Sequence, residues 1–567
     1  MKAGPAIAGL ALIGAAALAV AQAPPAPQVL FRDVAREAGI RFLHQAAPEK
    51  KYIMESMSGG LALVDYDGDG LVDLYITNSL TVDTRNDPNA ARSALYHNLG
   101  GFRFEDVTDR AGVGHPGWAM GVCTGDADGD GAVDIYVTGL GRNYLYRNNR
   151  DGTFTDIAEQ AGVAGGGWSM GCGFADYDRD GRLDLFVSRY VSIDLDHLPE
   201  FGKGGAGMKG EGRGATCQYR GVAVQCGPRG LPGESDLLFH NDGNGHFTEV
   251  SAKAGVRDTH EYYGLGIAWF DFNGDGWPDL YVANDSHPNY LYENQQDGTF
   301  KEVGFPMGVA VSEDGSEQGS MGVAVGDYLN GGRPSLLVTN FAEEYDDLFR
   351  NDGTHFTDVS YRARVAPPSL PLVMWGDAFL DYDNDGWLDL MAVAGHVYPQ
   401  MDQVNTGAAA GYRQPKLLFH NEHDGTFAEV SRRYGPVFTD KRVSRGLVVG
   451  DLDDDGRLDA VVTDLDGPAQ VLRNELEPTG HWLILRLLGK GGNPQALGAV
   501  ATVQAGPLRM TRYVQSGTGY LSQSDVRPHF GLGAQARAER VEVRWPDQTV
   551  TRLEDVPADQ VLAVRQP

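Results

Sequence analysis

Asp65, Asp67, Asp69 and Asp73 stand at positions 1, 3, 5 and 9 of a nine-residue stretch whose sixth residue is Gly70. In a tight turn that spacing aims alternate carboxylates inward, and the glycine takes a backbone angle that a Cβ would resist. The carbonyl of Leu71 at position 7 can supply one more oxygen. A flexible all-oxygen set suits Ca²⁺, which takes about 6 to 8 oxygen ligands, better than Zn²⁺, which prefers nitrogen and sulfur.

The stretch recurs. Matching ligand sets are Asp126, Asp128, Asp130, Ala132 and Asp134; Asp176, Asp178, Asp180, Arg182 and Asp184; and Asp271, Asn273, Asp275, Trp277 and Asp279. Two more are Asp381, Asp383, Asp385, Trp387 and Asp389, and Asp451, Asp453, Asp455, Arg457 and Asp459. Ala132, Arg182, Trp277, Trp387 and Arg457 correspond to Leu71 and would contribute backbone oxygen only. A further copy begins at Asp327 but carries Leu329, Gly331 and Ser335 where the others have ligands. The six intact loops fill 24 side-chain positions with 23 Asp and one Asn. Without cations, that density of like charge would repel itself. About six Ca²⁺ are therefore expected. Because protein fills every ligand position, the expected role is structural, with binding energy feeding directly into folding.

These loops need strands to hold them. Apolar residues 61–64 precede the first loop and 74–77 follow it. Five residues before each first Asp stands a glycine: Gly60, Gly121, Gly171, Gly266, Gly322, Gly376 and Gly446. Downstream come Asn98, Asn148, Asn241, Asn294, Asn351, Asn421 and Asn474, and then a Phe-led strand in six of the seven repeats. The missing seventh Phe-led strand stands at the start of the chain, at Phe31. Each repeat reads as four short strands. The expectation is an all-β chain: a seven-bladed β-propeller with calcium loops, closed by pairing Phe31 with the last repeat, and a small C-terminal β-rich domain. The expected divisions are a signal peptide at 1–23, a propeller at 24–477 with an insertion at 192–236, and a β-rich domain at 478–567.

The asparagine-containing Asp-x-Asp-x-Asp-Gly-x-x-Asp repeats resemble FG-GAP/VCBS repeats, also found in integrin α-chain propellers. Gly517-Thr-Gly-Tyr-Leu-Ser-Gln-Ser-Asp525, His529-Phe-Gly-Leu-Gly533 and Trp545-Pro-Asp547 resemble the ASPIC/UnbV domain. Together they resemble the cartilage acidic protein family and its bacterial relatives across nearly the whole mature chain. The resemblance implies this fold, calcium and export, and no defined activity. The chain departs from the family pattern at the ligand-poor loop beginning with Asp327 and at Gln548, where glycine usually follows Trp-Pro-Asp.

A formal charge of −30 argues against nucleic acid as a partner. Met1-Lys2, an apolar run from Ala6 to Val20 and Ala21-Gln22-Ala23 read as a signal peptide cleaved near Ala23, which predicts a secreted or periplasmic protein. No membrane span is expected, and a monomer is. Export permits disulfides. A Cys217–Cys226 bridge is expected in the Gly-rich insertion, and Cys123 and Cys172, out of phase with each other, read as buried thiols.

The insertions at 79–94, 192–236 and 395–416 all follow the second strand of a repeat, so they should gather on the face opposite the aspartate loops. There Asn284, Asp285, His287, Asn340, His396 and Tyr398 are candidate contacts for an extracellular protein or glycan. The alternative is a hydrolase or lyase with its active site at the channel mouth on that same face. In the C-terminal domain, Arg512, Tyr520, His529 and Trp545 could line a site, though core packing accounts for them as well. The Gly-rich 202–214 stretch lacks the strand-to-helix context of a nucleotide loop.

Overall fold

The computed structural model describes residues 31–198, 217–404, 411–477 and 480–567, with Met1 and Gly4. The expected signal peptide apart from Met1 and Gly4, the Gly-rich 202–214 stretch and linker residues Pro478 and Thr479 lie outside the described residues.

The described chain is all-β, with seven four-stranded antiparallel sheets built from the repeats. In the first, Leu61–Val64 leads into the aspartate loop and Asp73–Ile76 leads out, followed by Ala94–Asn98 and Phe104–Asp106. Both inner strands are buried on both faces, which is why they read as unbroken apolar runs rather than as alternating ones. The last sheet borrows its outer strand from the other end of the chain. Phe31–Asp33 pairs with Gln470–Asn474, with Phe31 opposite Asn474. Sheet follows sheet with first strands side by side, and Ser444–Gly450 comes back against Leu61–Val64, which gives a closed, propeller-like ring.

The recurrent glycines stand where that ring is tightest. A Cβ on Gly121 would lie 2.5 Å from the carbonyl oxygen of Met170 on the next sheet, and the other six face neighbouring backbone in the same way. Hydroxyls tie the same junctions. Thr77 donates to Met120 O at 3.0 Å and Ser188 to Leu265 O at 2.7 Å, while Thr463 donates across the closure to Gly59 O.

Residues 480–567 form a second unit. His481–Leu488 pairs with His529–Gly533 and, in parallel, with Gln560–Arg565, and a four-stranded sheet made of 500–505, 508–513, 537–544 and 550–557 packs beside them. Leu485, Val503, Met510, Phe530, Val541 and Trp545 fill the core. The unit sits on the aspartate-loop face and sends 516–525 down the axis. Gly519 exchanges backbone hydrogen bonds with Val323, Gln523 does so with Leu61 and Leu63, and Asp525 donates its N–H to Val449 O. At the tip the Tyr520 hydroxyl donates to Met57 O, and its ring meets Trp375 edge-on at 4.8 Å.

The opposite mouth is covered too. A hairpin of Cys217–Tyr219 and Val222–Val224 crosses it, with Tyr219 against Phe341, His396 and Tyr398 and Gln225 bonded to Ser56. Between the two, Met57, Met120, Met170, Leu265, Met321, Trp375 and Leu521 form one apolar column. Arg445 is wholly buried beside it, 4.0 Å over the Trp375 ring and bonded to the carbonyls of Ser56, Gly395 and Ser444. The axis is thus packed, and the mouth considered for an active site is occupied by the protein's own hairpin.

Cys217 and Cys226 are bridged, with Cα atoms 4.9 Å apart. Cys123 and Cys172 are bridged as well, at 5.8 Å, which corrects the reading of buried thiols. The first strands of neighbouring sheets meet across a splayed junction and both carry bulges, so counting alternation from the glycines misjudges which side chains face each other.

Candidate metal centres

The six intact aspartate loops share one hydrogen-bond scheme. The first Asp accepts the N–H of the sixth-position glycine, from Asp65 with Gly70 at 3.0 Å to Asp451 with Gly456 at 2.7 Å. The fifth-position Asp accepts the N–H of residue 7, which is Leu71, Ala132, Arg182, Trp277, Trp387 or Arg457, and so fixes the exit of the turn. The ninth-position Asp is buried and accepts two N–H groups. For Asp73 these come from Tyr66 and from Asn98 in the third strand. The pattern holds at Asp134, Asp184, Asp279, Asp389 and Asp459.

Turned inward in this way, the carboxylates crowd. Oxygens of Asp65, Asp67 and Asp73 lie within 4.8 Å of one another. Burial pushes the Asp73 carboxyl up to about 9, Asp389 and Asp451 to about 7, and Asp126 and Asp176 to about 6, with neighbouring aspartates adding to each rise. A divalent cation would reverse those shifts, because it favours the charged form that burial disfavours. The donor set, all oxygen apart from nearby imidazoles, fits a hard cation.

The recurrent asparagines have a role that their spacing alone does not assign. The side-chain amide of Asn148 donates to Val133 O in its own loop and to Tyr66 O in the preceding one. Asn241 reaches Ala127 O, Asn294 reaches Tyr177 O, Asn421 reaches Tyr328 O and Asn474 reaches Tyr382 O. Asn98 closes the circuit by reaching Leu452 O. Each loop is thereby clasped to the next around the ring. The signal was present in the strict register of the Asn markers, but the partner carbonyls lie in another repeat.

Basic side chains from the third strand and its turn also face the loops, and their spacing alone does not announce this. Arg473 stands 2.8 Å from Asp453, Arg150 3.1 Å from Asp130, His97 3.0 Å from Asp73 and His240 3.2 Å from Asp178. The C-terminal unit adds Arg544, 3.2 Å from Asp271, and the N–H of Gly531, 3.1 Å from Asp381.

The ligand-poor loop keeps its frame. Asp327 accepts the N–H groups of Gly331 and Gly332 at 2.9 and 2.6 Å. Its carboxyl is raised by burial, while the charges of Arg512 and Arg509 from the C-terminal unit pull it back down.

On the opposite face, the insertions do gather. Arg85 bonds to Leu195 O, and Arg220 pairs with Glu343 at 2.7 Å. Asn284, Asn340, His396 and Tyr398 are nonetheless buried there. Asn284 donates to Pro288 O, Asn340 donates to Tyr345 O and Asp347, and His396 accepts the Tyr398 N–H. His396 and Tyr398 belong to the packed mouth, Asn284 and Asn340 brace the turns of their own repeats, and none of the four is exposed. Asp285, bonded to the Tyr190 hydroxyl at 2.6 Å, and His287, stacked on Tyr262 at 4.3 Å, are only partly buried. In the C-terminal unit, Arg512, Tyr520, His529 and Trp545 are all buried. Arg512 donates to His529 O and Trp545 to Thr551.

Among the described residues no helix is long and apolar enough to cross a membrane. Residues 489–567 match the family described as ASPIC and UnbV, and residues 65–137, 126–187, 230–282 and 271–338 match the FG-GAP-like repeat. Cartilage acidic protein 1 of Homo sapiens is 26% identical over 305 residues, 53% of this chain and 43% of that protein. Its Xenopus tropicalis counterpart is 24% identical over 364 residues, 59% of this chain and 53% of that protein. The chain thus spans about half the length of the curated relatives it matches. Among solved structures, an Agrocybe aegerita lectin that recognises non-reducing terminal N-acetylglucosamine aligns with a TM-score of 0.37 at 16% identity, covering 73% of this chain and 94% of the lectin. The chain carries FG-GAP-like repeats followed by a C-terminal ASPIC/UnbV domain, and through that combination it is a distant relative of cartilage acidic protein 1.

Proposed function

We propose that this is an exported interaction protein built on a seven-bladed propeller, in which calcium in the six intact loops is structural and a protein or glycan is bound on the opposite face. The observation that carries this reading is the placement of the C-terminal domain. It covers the aspartate-loop face, with Gly531 and Arg544 on the loop carboxylates and Tyr520 filling the axis, so the insertion face is the one left for a partner. Two disulfides and FG-GAP-like repeats accord with life outside the cytoplasm.

Calcium would be held by the Asp, and the one Asn, at loop positions 1, 3, 5 and 9 and by the position-7 carbonyls. When bound it supplies positive charge to carboxylates that burial leaves reluctant to ionise. The chain's own residues do the rest: glycine N–H groups hold the first Asp, and the Asn clasps carry the geometry from one loop to the next. Equilibrium dialysis followed by elemental analysis is expected to return about six calcium ions per chain, one for each intact loop. Chelation is expected to lower Tm by about 10 °C or more, reversibly on adding calcium. An unchanged Tm in chelator would sink the calcium reading.

A further inference from the structure

The sixth repeat differs from the other intact ones at two registered positions. Immediately before the third-strand Asn the seven repeats carry His97, Arg147, His240, Glu293, Arg350, His420 and Arg473. Two residues after that Asn they carry Gly100, Arg150, Gly243, Gln296, Gly353, His423 and Leu476. Only the sixth has imidazole at both.

The structure brings the pair together. A ring nitrogen of His420, a ring nitrogen of His423 and a carboxylate oxygen of Asp385 lie within 4.8 Å of one another. His423 Nε2 is 2.7 Å from Asp385 Oδ2. His420 Nδ1 stands 3.3 Å from Asp389, the kind of carboxylate contact that orients a metal-binding imidazole. His423 has φ +60, its N–H is held by Asn421 at 3.0 Å, and its ring lies parallel to Trp387 at 4.8 Å, so the imidazole is fixed against the loop while its side chain stays 44% exposed.

We propose that His420, His423 and Asp385 form a second cation site whose ligand is a borderline divalent transition ion such as Zn²⁺. Two imidazole nitrogens and one carboxylate oxygen favour such an ion over Ca²⁺. Other loops lack the set: His97 and His240 each stand alone among carboxylates. The inference does not depend on calcium occupying the loop, although Asp385, at loop position 5, would be shared if both ions are present. The competing account is a plain ion pair, because Arg150 occupies the place of His423 in the second repeat and pairs with Asp130 at 3.1 Å.

His423→Arg separates the two, since it keeps the ion pair and removes the ligand. The full chain, stripped with chelator and returned to excess calcium, would be titrated calorimetrically with zinc chloride at neutral pH. The expected result is one tight zinc equivalent that persists in calcium. His423→Arg and His420→Gln should each weaken it by about tenfold or more, with Tm in calcium unchanged for His423→Arg. His97→Gln should leave that equivalent intact. Absence of a zinc equivalent, its stoichiometric displacement by calcium, or undiminished uptake by His423→Arg would overturn the proposal.

Discussion

The fifth and sixth aspartate loops are consecutive in the chain and joined by the Asn330 side chain, which donates to Gly386 O at 3.0 Å, yet they have parted company chemically. Asp327 and Asp381 do the same backbone work. Each accepts two loop N–H groups, from Gly331 and Gly332 in one case and from Asp385 and Gly386 in the other. What the fifth loop lacks, at Leu329, Gly331 and Ser335, are carboxylates that in the other loops accept N–H groups at the exit of the turn and would also face a cation. Arg509 and Arg512 of the C-terminal domain act on Asp327, and Arg512 acts on Asp381 as well. On the calcium proposal, the difference teaches that frame and ion are separable. The first Asp and the glycine hold the turn in both loops, whereas the other carboxylates, which brace the intact turns and would face a cation, can be lost without losing that frame.

The largest expected effect therefore comes from cutting the same residue in both loops. Asp381→Ala should remove one calcium ion as well as the turn bonds. Loss of an ion held at about 100- to 1,000-fold excess over its Kd costs about 3–4 kcal/mol, on top of about 1–3 kcal/mol for N–H groups left unpaired. Asp327→Ala should cost only the second amount and leave the calcium count unchanged. Denaturant unfolding in calcium, alongside metal analysis, measures both. Equal losses of stability and of calcium in the two variants would break the distinction.

Much of this contrast is legible in the sequence, because the loops carry their chemistry in nine adjacent residues and the glycine, Asn and Phe markers keep register with them. The closing strand at Phe31 is equally readable, since the last repeat lacks what the chain's start supplies. The axis is not. Residues 516–525 have no strand or helix periodicity, and their partners, from Leu61 and Thr124 to Val449, lie far away in the chain. Nothing local says that Tyr520 reaches Met57. The burial of His396 and Tyr398 was hidden for a similar reason: the hairpin whose Tyr219 packs on them belongs to another repeat, inside an insertion whose composition suggests only a loop.

A smaller effect is expected at the Asn clasps, and it should follow the same division. Asn148 donates its amide to two carbonyls, Tyr66 O and Val133 O, whereas the Asn351 amide, beside Ser335, donates to the preceding loop at Phe272 O, 2.8 Å away. Asn148 N–H also bonds Asp134, while Ser335 offers Asn351 no carboxylate. Asn148→Ala should cost about 2–3 kcal/mol and Asn351→Ala about half as much, at about 1 kcal/mol per amide bond plus the burial of orphaned carbonyls. Calorimetric Tm values for the two variants in calcium provide the comparison. A larger loss for Asn351→Ala would mean that the clasp, and not the ion, carries the fifth junction.

The smallest effect isolates a buried carboxyl outside the aspartate loops. Glu344, on the insertion face, is pushed up to about 7 by burial, as Asp389 is, although its carboxylate accepts the Gly319 N–H at 2.6 Å. Among the described residues no aspartate loop surrounds it. Its folded value lies above the unfolded one near 4.5, so between those two values the folded state keeps a proton that the unfolded chain has lost. Stability from this group is complete below pH 4.5 and is lost as pH rises through about 7. Glu344→Gln keeps an acceptor for Gly319 and removes the titration. The variant should match the wild type at pH 4.5 and exceed it modestly at pH 8, by the same margin with or without calcium, because no loop is involved. A margin that vanished in calcium would tie the two faces together energetically and would end the separation of frame from ion on which the comparison of the two loops rests.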